Sequence, residues 1–299
     1  MSVLKQSYFG TFTALVTPFK DGKVDEKAFA QLIKMQIKAG VNGIVPVGTT
    51  GESPTLDYEE HLRVIELAVQ AAGGKVKVIA GTGANSTKEA VYLTREAEKL
   101  GATASLQVAP YYNKPTQEGL YQHFRKVAES TRLPIILYSI PGRCGVEIGV
   151  DTVARLAGDC PNIIGIKEAG GNVDRVSQLR DVLPGKFVVL SGDDALTLPF
   201  LAAGAAGVVS VASNIIPRQI NQMVMGFLTG NLLRAQMLHH RYYRLFKDLF
   251  IETNPVPIKA AMAMLGWIEE ECRLPLVPMS AKNRAILRKT MVDCGLLSK

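Results

Sequence analysis

Apolar positions along this chain alternate between two spacings. Short β-branched runs of strand length are each followed, after a turn, by a longer stretch with apolar residues three and four apart. Residues 10–16 form the first run, closed by Thr17-Pro18. Asp25 is placed to cap a helix bearing Phe29, Leu32, Ile33 and Ile37 on one face and stopping at Gly40. Residues 43–47 predict a second strand, and a helix from about Asp57 carries Leu62, Ile65 and Val69 in register. Strand and helix then follow in turn at 76–80 and 86–100, 104–108 and 120–129, and 134–138 and 150–157. The run from Asn162 to Lys167 precedes a helix at 173–183, and runs at 187–190 and 207–210 precede helices at 196–203 and 217–229.

About eight strand–helix units in roughly 230 residues have the count and size of a (β/α)8 TIM barrel, an α/β fold. A doubly wound open sheet is the alternative, because alternation alone does not require closure. Residues 231–299 hold no strand pattern and predict three helices, at 232–250, 258–265 and 281–294, with prolines 255, 257, 275 and 278 between them. The expected organisation is a catalytic barrel over 1–230 and a C-terminal helical domain over 231–299.

Composition narrows the class without naming an activity. Of 299 residues, 47% are hydrophobic and 20% charged, the profile of a soluble globular protein. No apolar run is long enough to span a bilayer. The opening Met1-Ser-Val-Leu-Lys-Gln-Ser7 lacks the layout of a signal peptide, so a cytoplasmic location is expected. Cys144, Cys160, Cys272 and Cys294 are scattered and support neither a disulfide framework nor a zinc site. The net charge of +7 is interleaved with acids, without a basic tail or an aromatic RNA-binding signature, so no nucleic-acid partner is expected.

The chemistry centres on Lys167. Strand side chains alternate faces, so Ile164 and Ile166 are expected on one side and Ile163, Gly165 and Lys167 on the other. A lysine at the end of a buried strand is costly unless it is paired or used. It serves either as half of an ion pair with a neighbouring acid or as a nucleophile that forms a Schiff base with a carbonyl. A barrel of this kind places its active site at the C-terminal strand ends, where Thr49, Thr50, Tyr111, Tyr112, Tyr138 and Lys167 all fall. Gly48-Thr-Thr-Gly51 reads as an ordinary turn or as a cradle for a carboxylate. Gly81-Thr-Gly83 imitates a dinucleotide fingerprint but lacks the third glycine, and Ser86-Thr-Lys-Glu89 reads as a capping box. His61, taken alone, reads as a surface or capping residue, and His123, His239 and His240 have no metal spacing.

Four motifs in order, Gly48-Thr-Thr-Gly-Glu-Ser53, Tyr111-Tyr-Asn-Lys-Pro115, Leu137-Tyr-Ser-Ile-Pro-Gly-Arg143 and Gly165-Ile-Lys-Glu168, resemble the dihydrodipicolinate (4-hydroxy-tetrahydrodipicolinate) synthase family of pyruvate-dependent class I aldolases. The likeness covers essentially the whole chain. It implies condensation of pyruvate with L-aspartate 4-semialdehyde in lysine and diaminopimelate biosynthesis, with no cofactor beyond the covalent Schiff base. It implies Lys167 as the Schiff-base lysine, Tyr138 as the acid–base group, and Thr49 as a relay to Tyr112, which reaches in from a neighbouring subunit of a homotetramer, a dimer of dimers. Thr50 matches the residue that holds the pyruvate carboxylate and Arg143 the one that holds the semialdehyde's, with Gly192 and Val209 lining the pocket. An L-lysine effector site is implied at Ser53, Pro54, Tyr58, His61, Asn85, Glu89 and Tyr111. Ser139, Gly142 and Cys144 depart from the family's usual pattern and bear on substrate preference. The rival readings are a sialic acid or 2-keto-3-deoxy sugar acid aldolase on the same fold, an oxidoreductase using the Gly81 turn, and a binding protein that has lost turnover.

Overall fold

The computed structural model describes residues 8–298; Met1–Ser7, on which the signal-peptide reading rests, lie outside it. Eight parallel strands close a barrel: β1 Gly10–Ala14, β2 Gly43–Val45, β3 Lys77–Gly81, β4 Ala104–Val108, β5 Ile135–Ser139, β6 Ile163–Glu168, β7 Val188–Ser191 and β8 Gly207–Ser210. β1 closes the ring by pairing β2 through Phe12 to Gly43 and β8 through Gly10 to Gly207. A Cβ on Gly207 would collide with the backbone of Gly10, so this seam requires glycine. Closure settles the choice between barrel and open sheet.

Each strand is followed by a helix: α1 Glu26–Ala39, α2 Tyr58–Ala72, α3 Thr87–Lys99, α4 Gln117–Ala128, α5 Val150–Asp159, α6 Asp174–Val182, α7 Thr197–Ala202 and α8 Pro217–Leu228. Asp25 caps α1 by accepting from the Ala28 amide, and Gly40 ends that helix in the left-handed region. α9 Leu232–Asp248, α10 Val256–Met264 and α11 Ala281–Asp293 complete the chain. They share one apolar cluster with α8, in which Leu238, Tyr242 and Phe246 pack with Ile220 and Met223. A short hairpin, Phe19–Lys20 with Lys23–Val24, and a single helical turn, Pro141–Cys144, had no signal in the hydrophobic pattern.

The differences from the expected elements have local causes. β2 stops at Val45 rather than residue 47, because Pro46 has no amide to donate and Val47 turns to a φ of 50°. The register between β5 and β6 slips after Ile135, which pairs Ile163 while Ile136 pairs Gly165. This irregularity corrects the expected strand faces. Ile164 packs with the barrel interior, whereas Ile163 and Ile166 both join the cluster between barrel and helices. The capping box at α3 is also corrected. Ser86 occupies the N-cap position, but its side chain makes no cap bond.

No helix among the described residues is long and apolar enough to cross a membrane. All four cysteines are free.

Candidate active site

Lys167 lies at the penultimate position of β6, paired in register with Tyr138 of β5. It is 7% exposed, and its Nζ sits 4.0 Å from the centroid of the Tyr138 ring. The neighbouring acid, Glu168, does not pair with it. Glu168 instead meets Arg175 Nε at 3.2 Å and accepts from the Gly170 amide at 2.8 Å. Burial pushes the Glu168 carboxyl up, and Arg175 opposes that shift. No ion pair or hydrogen bond holds the Lys167 amine among the described residues, so the ion-pair alternative for it fails. Across from it, Gly192 leaves the room the lysine needs: a Cβ there would stand 3.0 Å from Lys167 Cε and 2.6 Å from Ala169 Cβ. Val209 lies in the interior cluster with Tyr138 and Leu190.

A cavity of about 490 Å³ opens beside this strand end. Thr49, Tyr138, Arg143 and Cys144 line it, as do Ser53, Pro54, Tyr58, His61, Glu89 and Tyr111. Residues expected at a catalytic site and at an effector site thus share one continuous space. Asn85 is outside the lining but donates to the Tyr111 carbonyl at 3.2 Å and so braces its loop. Lys167, Thr50, Gly192 and Val209 do not line this cavity; Lys167 adjoins it through Tyr138, which does.

That turn is a 3-10 helix, Thr49–Gly51. The amides of Gly51, Glu52 and Ser53 are spent on the carbonyls of Gly48 and Thr49. Thr50 is buried and accepts a hydrogen bond from Asn254 Nδ2 at 3.0 Å, and the carbonyl of the same asparagine accepts from Arg143 Nη2 at 3.0 Å. Glu52, at a φ of 54°, forms a buried ion pair with Lys259 of α10 and accepts from the Arg273 amide at 3.0 Å. Asn254, Lys259 and Arg273 are site residues that sequence reading missed, because they lie in the helical segment, far from any strand end.

Positive φ at residues other than glycine is uncommon and gathers where function strains a backbone. Here it is found at Val47, Glu52, Tyr112 and Lys114, all in the loops around the cavity, and at Asp21 in the hairpin. Tyr112, with φ 72°, is 91% exposed and does not line the cavity. No hydrogen bond joins Thr49 to Tyr138 or Tyr112 among the described residues. The Tyr111 hydroxyl is shifted up by burial and then by Glu89. Cys144 is buried, and its thiol is pushed up to about 11. Gly142 faces open space, so its lack of a side chain relieves no clash.

His61 is buried rather than a surface or capping residue, and burial lowers its pKa. Its Nε2 donates to the Gly81 carbonyl at 2.8 Å, which leaves Nδ1 as the acceptor of the neutral ring. The glycines of the dinucleotide-like turn have a packing reason: a Cβ at Gly81 would strike the Val47 carbonyl, and one at Gly83 the Val108 amide. Among the described residues no group of three His, Cys, Asp or Glu is placed to hold a metal ion.

A closed parallel barrel with an unpaired, buried amine at a strand end, beside a tyrosine and an open cavity, has the layout of a barrel lyase. The chain belongs to the Dihydrodipicolinate synthetase family, which it matches over residues 7–293. It is 56% identical over 291 residues to the 4-hydroxy-tetrahydrodipicolinate synthase of Sulfurihydrogenibium sp. (strain YO3AOP1), covering 97% of this chain and 99% of that one. The structure of the synthase from Methylacidiphilum fumariolicum SolV superposes with a TM-score of 0.96 at 55% identity, covering 96% of both chains. A structure from Cyanidioschyzon merolae with lysine bound superposes at 0.95 and 44% identity, covering 98% of this chain and 100% of that one.

Asp194, in the loop after β7, gives this end of the barrel a pH dependence. Its Oδ2 accepts from the amides of Val211 and Ala212 at 3.0 and 2.9 Å and so joins the loops after β7 and β8. Burial raises its carboxyl from 3.8 to about 6. Because the folded-state value lies above the unfolded one, its stabilising contribution is full below about pH 4 and is lost as pH rises through about 6. Asp194→Asn keeps an acceptor for the two amides and does not titrate. Thermal unfolding should show the variant gaining on the parent between pH 4 and 6, by about 3 kcal/mol at pH 8. A difference independent of pH would contradict this.

Proposed function

We propose that this chain is a lyase that condenses pyruvate with L-aspartate 4-semialdehyde to 4-hydroxy-tetrahydrodipicolinate, in the biosynthesis of diaminopimelate and lysine, with Lys167 as the nucleophile. The observation that carries this reading is the buried Lys167 amine, left unpaired because Glu168 is held by Arg175. The amine attacks the keto carbon of pyruvate, water leaves, and an imine forms. Loss of a methyl proton then gives an enamine, whose carbon attacks the aldehyde of the second substrate. Tyr138, with its ring against the amine, supplies and removes protons, and Thr49 passes them on through a hydroxyl that both donates and accepts. Thr50 receives the pyruvate carboxylate, and Arg143, exposed beside the cavity, receives that of the semialdehyde. Gly192 and Val209 shape the space around the lysine. The chemistry requires no cofactor beyond the covalent imine.

Tyr112 is assigned by family resemblance to the site of a second copy, a reading supported by its exposed, positive-φ position outside the lining of its own cavity. The working assembly is therefore at least a homodimer, with a tetramer built as a dimer of dimers as the fuller proposal, and its location the cytoplasm. Within the chain, the boundary near residue 230 separates the barrel that carries the chemistry from the helices that brace it.

Coupled assays should show turnover of aspartate 4-semialdehyde with pyruvate well above cleavage of sialic acid or 2-keto-3-deoxy sugar acids. Tyr138→Phe should lower kcat by about 10²- to 10⁴-fold, the usual worth of a positioned acid–base group. Preference for a sugar acid, or a Tyr138→Phe variant with parental kcat, would count against the assignment.

We also propose that L-lysine inhibits the enzyme by binding in this cavity against Ser53, Pro54, Tyr58, His61, Glu89 and Tyr111, with Asn85 holding the Tyr111 loop. Glu89 is the acid for the ligand's ammonium, and its freedom from a cap bond to Ser86 supports that role. Millimolar L-lysine should lower turnover, and Glu89→Gln should raise the inhibitory concentration about tenfold or more, as expected for a lost charge-assisted contact. Unchanged turnover with lysine, and no heat of binding, would remove the effector site.

A further inference from the structure

We propose that Asn254 is a positioning residue for substrate carboxylates: from the segment before α10 it sets the hydrogen-bonding sense of Thr50 and the pose of Arg143. This deepens the reading above and rests on it. Asn254 is 4% exposed and lies 204 residues from Thr50 and 111 from Arg143 in sequence. Its side-chain Nδ2 donates to Thr50 Oγ1 and its main-chain carbonyl accepts from Arg143 Nη2, each at 3.0 Å.

A threonine hydroxyl has one proton and two lone pairs. The amide of Asn254 fills a lone pair, so the Thr50 proton turns away from Asn254 and stays available to donate. A carboxylate can only accept, and Thr50 is thereby held in the state that an anion needs. The opposite sense, with an acceptor facing Thr50, would consume the proton and present only lone pairs to the anion. Arg143 is tethered through one of its five N–H groups, which limits a mobile side chain while leaving the rest of its fork free.

The segment that carries Asn254 is itself anchored to the same turn. Five residues on, Lys259 pairs with Glu52 in a fully buried setting and donates to the Glu271 carbonyl at 2.8 Å. Arg273 holds Glu60 at 2.6 Å and packs 4.3 Å from the Phe19 ring centroid. The turn bearing Thr49 and Thr50 is therefore gripped from the helical segment at Thr50 and just after it, at Glu52.

Steady-state kinetics of the full chain, with each substrate varied in turn, tests this through a double-mutant cycle on Asn254→Ala and Thr50→Val. Asn254→Ala should raise the KM for pyruvate about tenfold, the worth of a hydrogen bond to a charged group. The KM for the semialdehyde should move less, since the carbonyl that holds Arg143 remains. In the Thr50→Val background, Asn254→Ala should change the pyruvate KM little, because its route of action is gone. Equal effects in both backgrounds, or an unchanged pyruvate KM in a folded Asn254→Ala variant, would overturn the proposal. Should the alanine variant fail to fold, the isosteric Asn254→Asp carries the test: an acceptor facing Thr50 should raise the pyruvate KM, and a parental KM would overturn the proposal. Absence of turnover by the parent chain would overturn the proposed function and this inference with it, whereas the other outcomes bear on Asn254 alone.

Discussion

The constraint on which the rest depends is that Lys167 is buried without a counter-charge. An ammonium removed from water is costly, and proteins ordinarily pair it or neutralise it. Here the carboxylate next in sequence is diverted: Glu168 is bound by Arg175 and the Gly170 amide, while Arg175 also bonds the Ile148 carbonyl and approaches Glu147 at 3.6 Å. The compensation left to the lysine is the face of the Tyr138 ring, a weaker partner than a carboxylate. An amine kept in that condition is available to react, and Gly192 leaves it space to do so.

The second feature is how firmly the surrounding loops are held. The turn after β2 supplies two of the proposed site hydroxyls and is too short to position them alone. The amides of Gly51, Glu52 and Ser53 close back on it, and its shape is fixed from outside by the Glu52–Lys259 pair, by Arg273 and by Asn254. The C-terminal helices thus do more than cover apolar surface. Removing one member of so buried an ion pair typically costs about 3–5 kcal/mol, and here the loss would fall on the turn that carries Thr49 and Thr50.

The fold was largely legible because strands buried on both faces read as continuous apolar runs and the helices as three-and-four periodicity. Ends were misjudged where a single backbone feature overrode the pattern, as at Pro46 and Val47, or at the irregular pairing beside Ile164 that reversed its expected face. Lys167, Tyr138 and Thr49 stood out because the barrel rule brings strand ends together. Asn254, Lys259 and Arg273 did not, since contacts spanning more than a hundred residues leave no local periodicity. Glu89 was ambiguous between a cap and a pocket residue, and its place in the cavity wall and the missing cap bond from the Ser86 side chain both bear on the choice.

Borohydride reduction of the protein in the presence of pyruvate, followed by mass analysis of its peptides, tests the central claim most directly. A reducible imine at the unpaired amine should leave one pyruvate-derived adduct per chain, on the peptide containing Lys167. An adduct located on another lysine, or none at saturating pyruvate in a folded protein, would contradict the role given to Lys167.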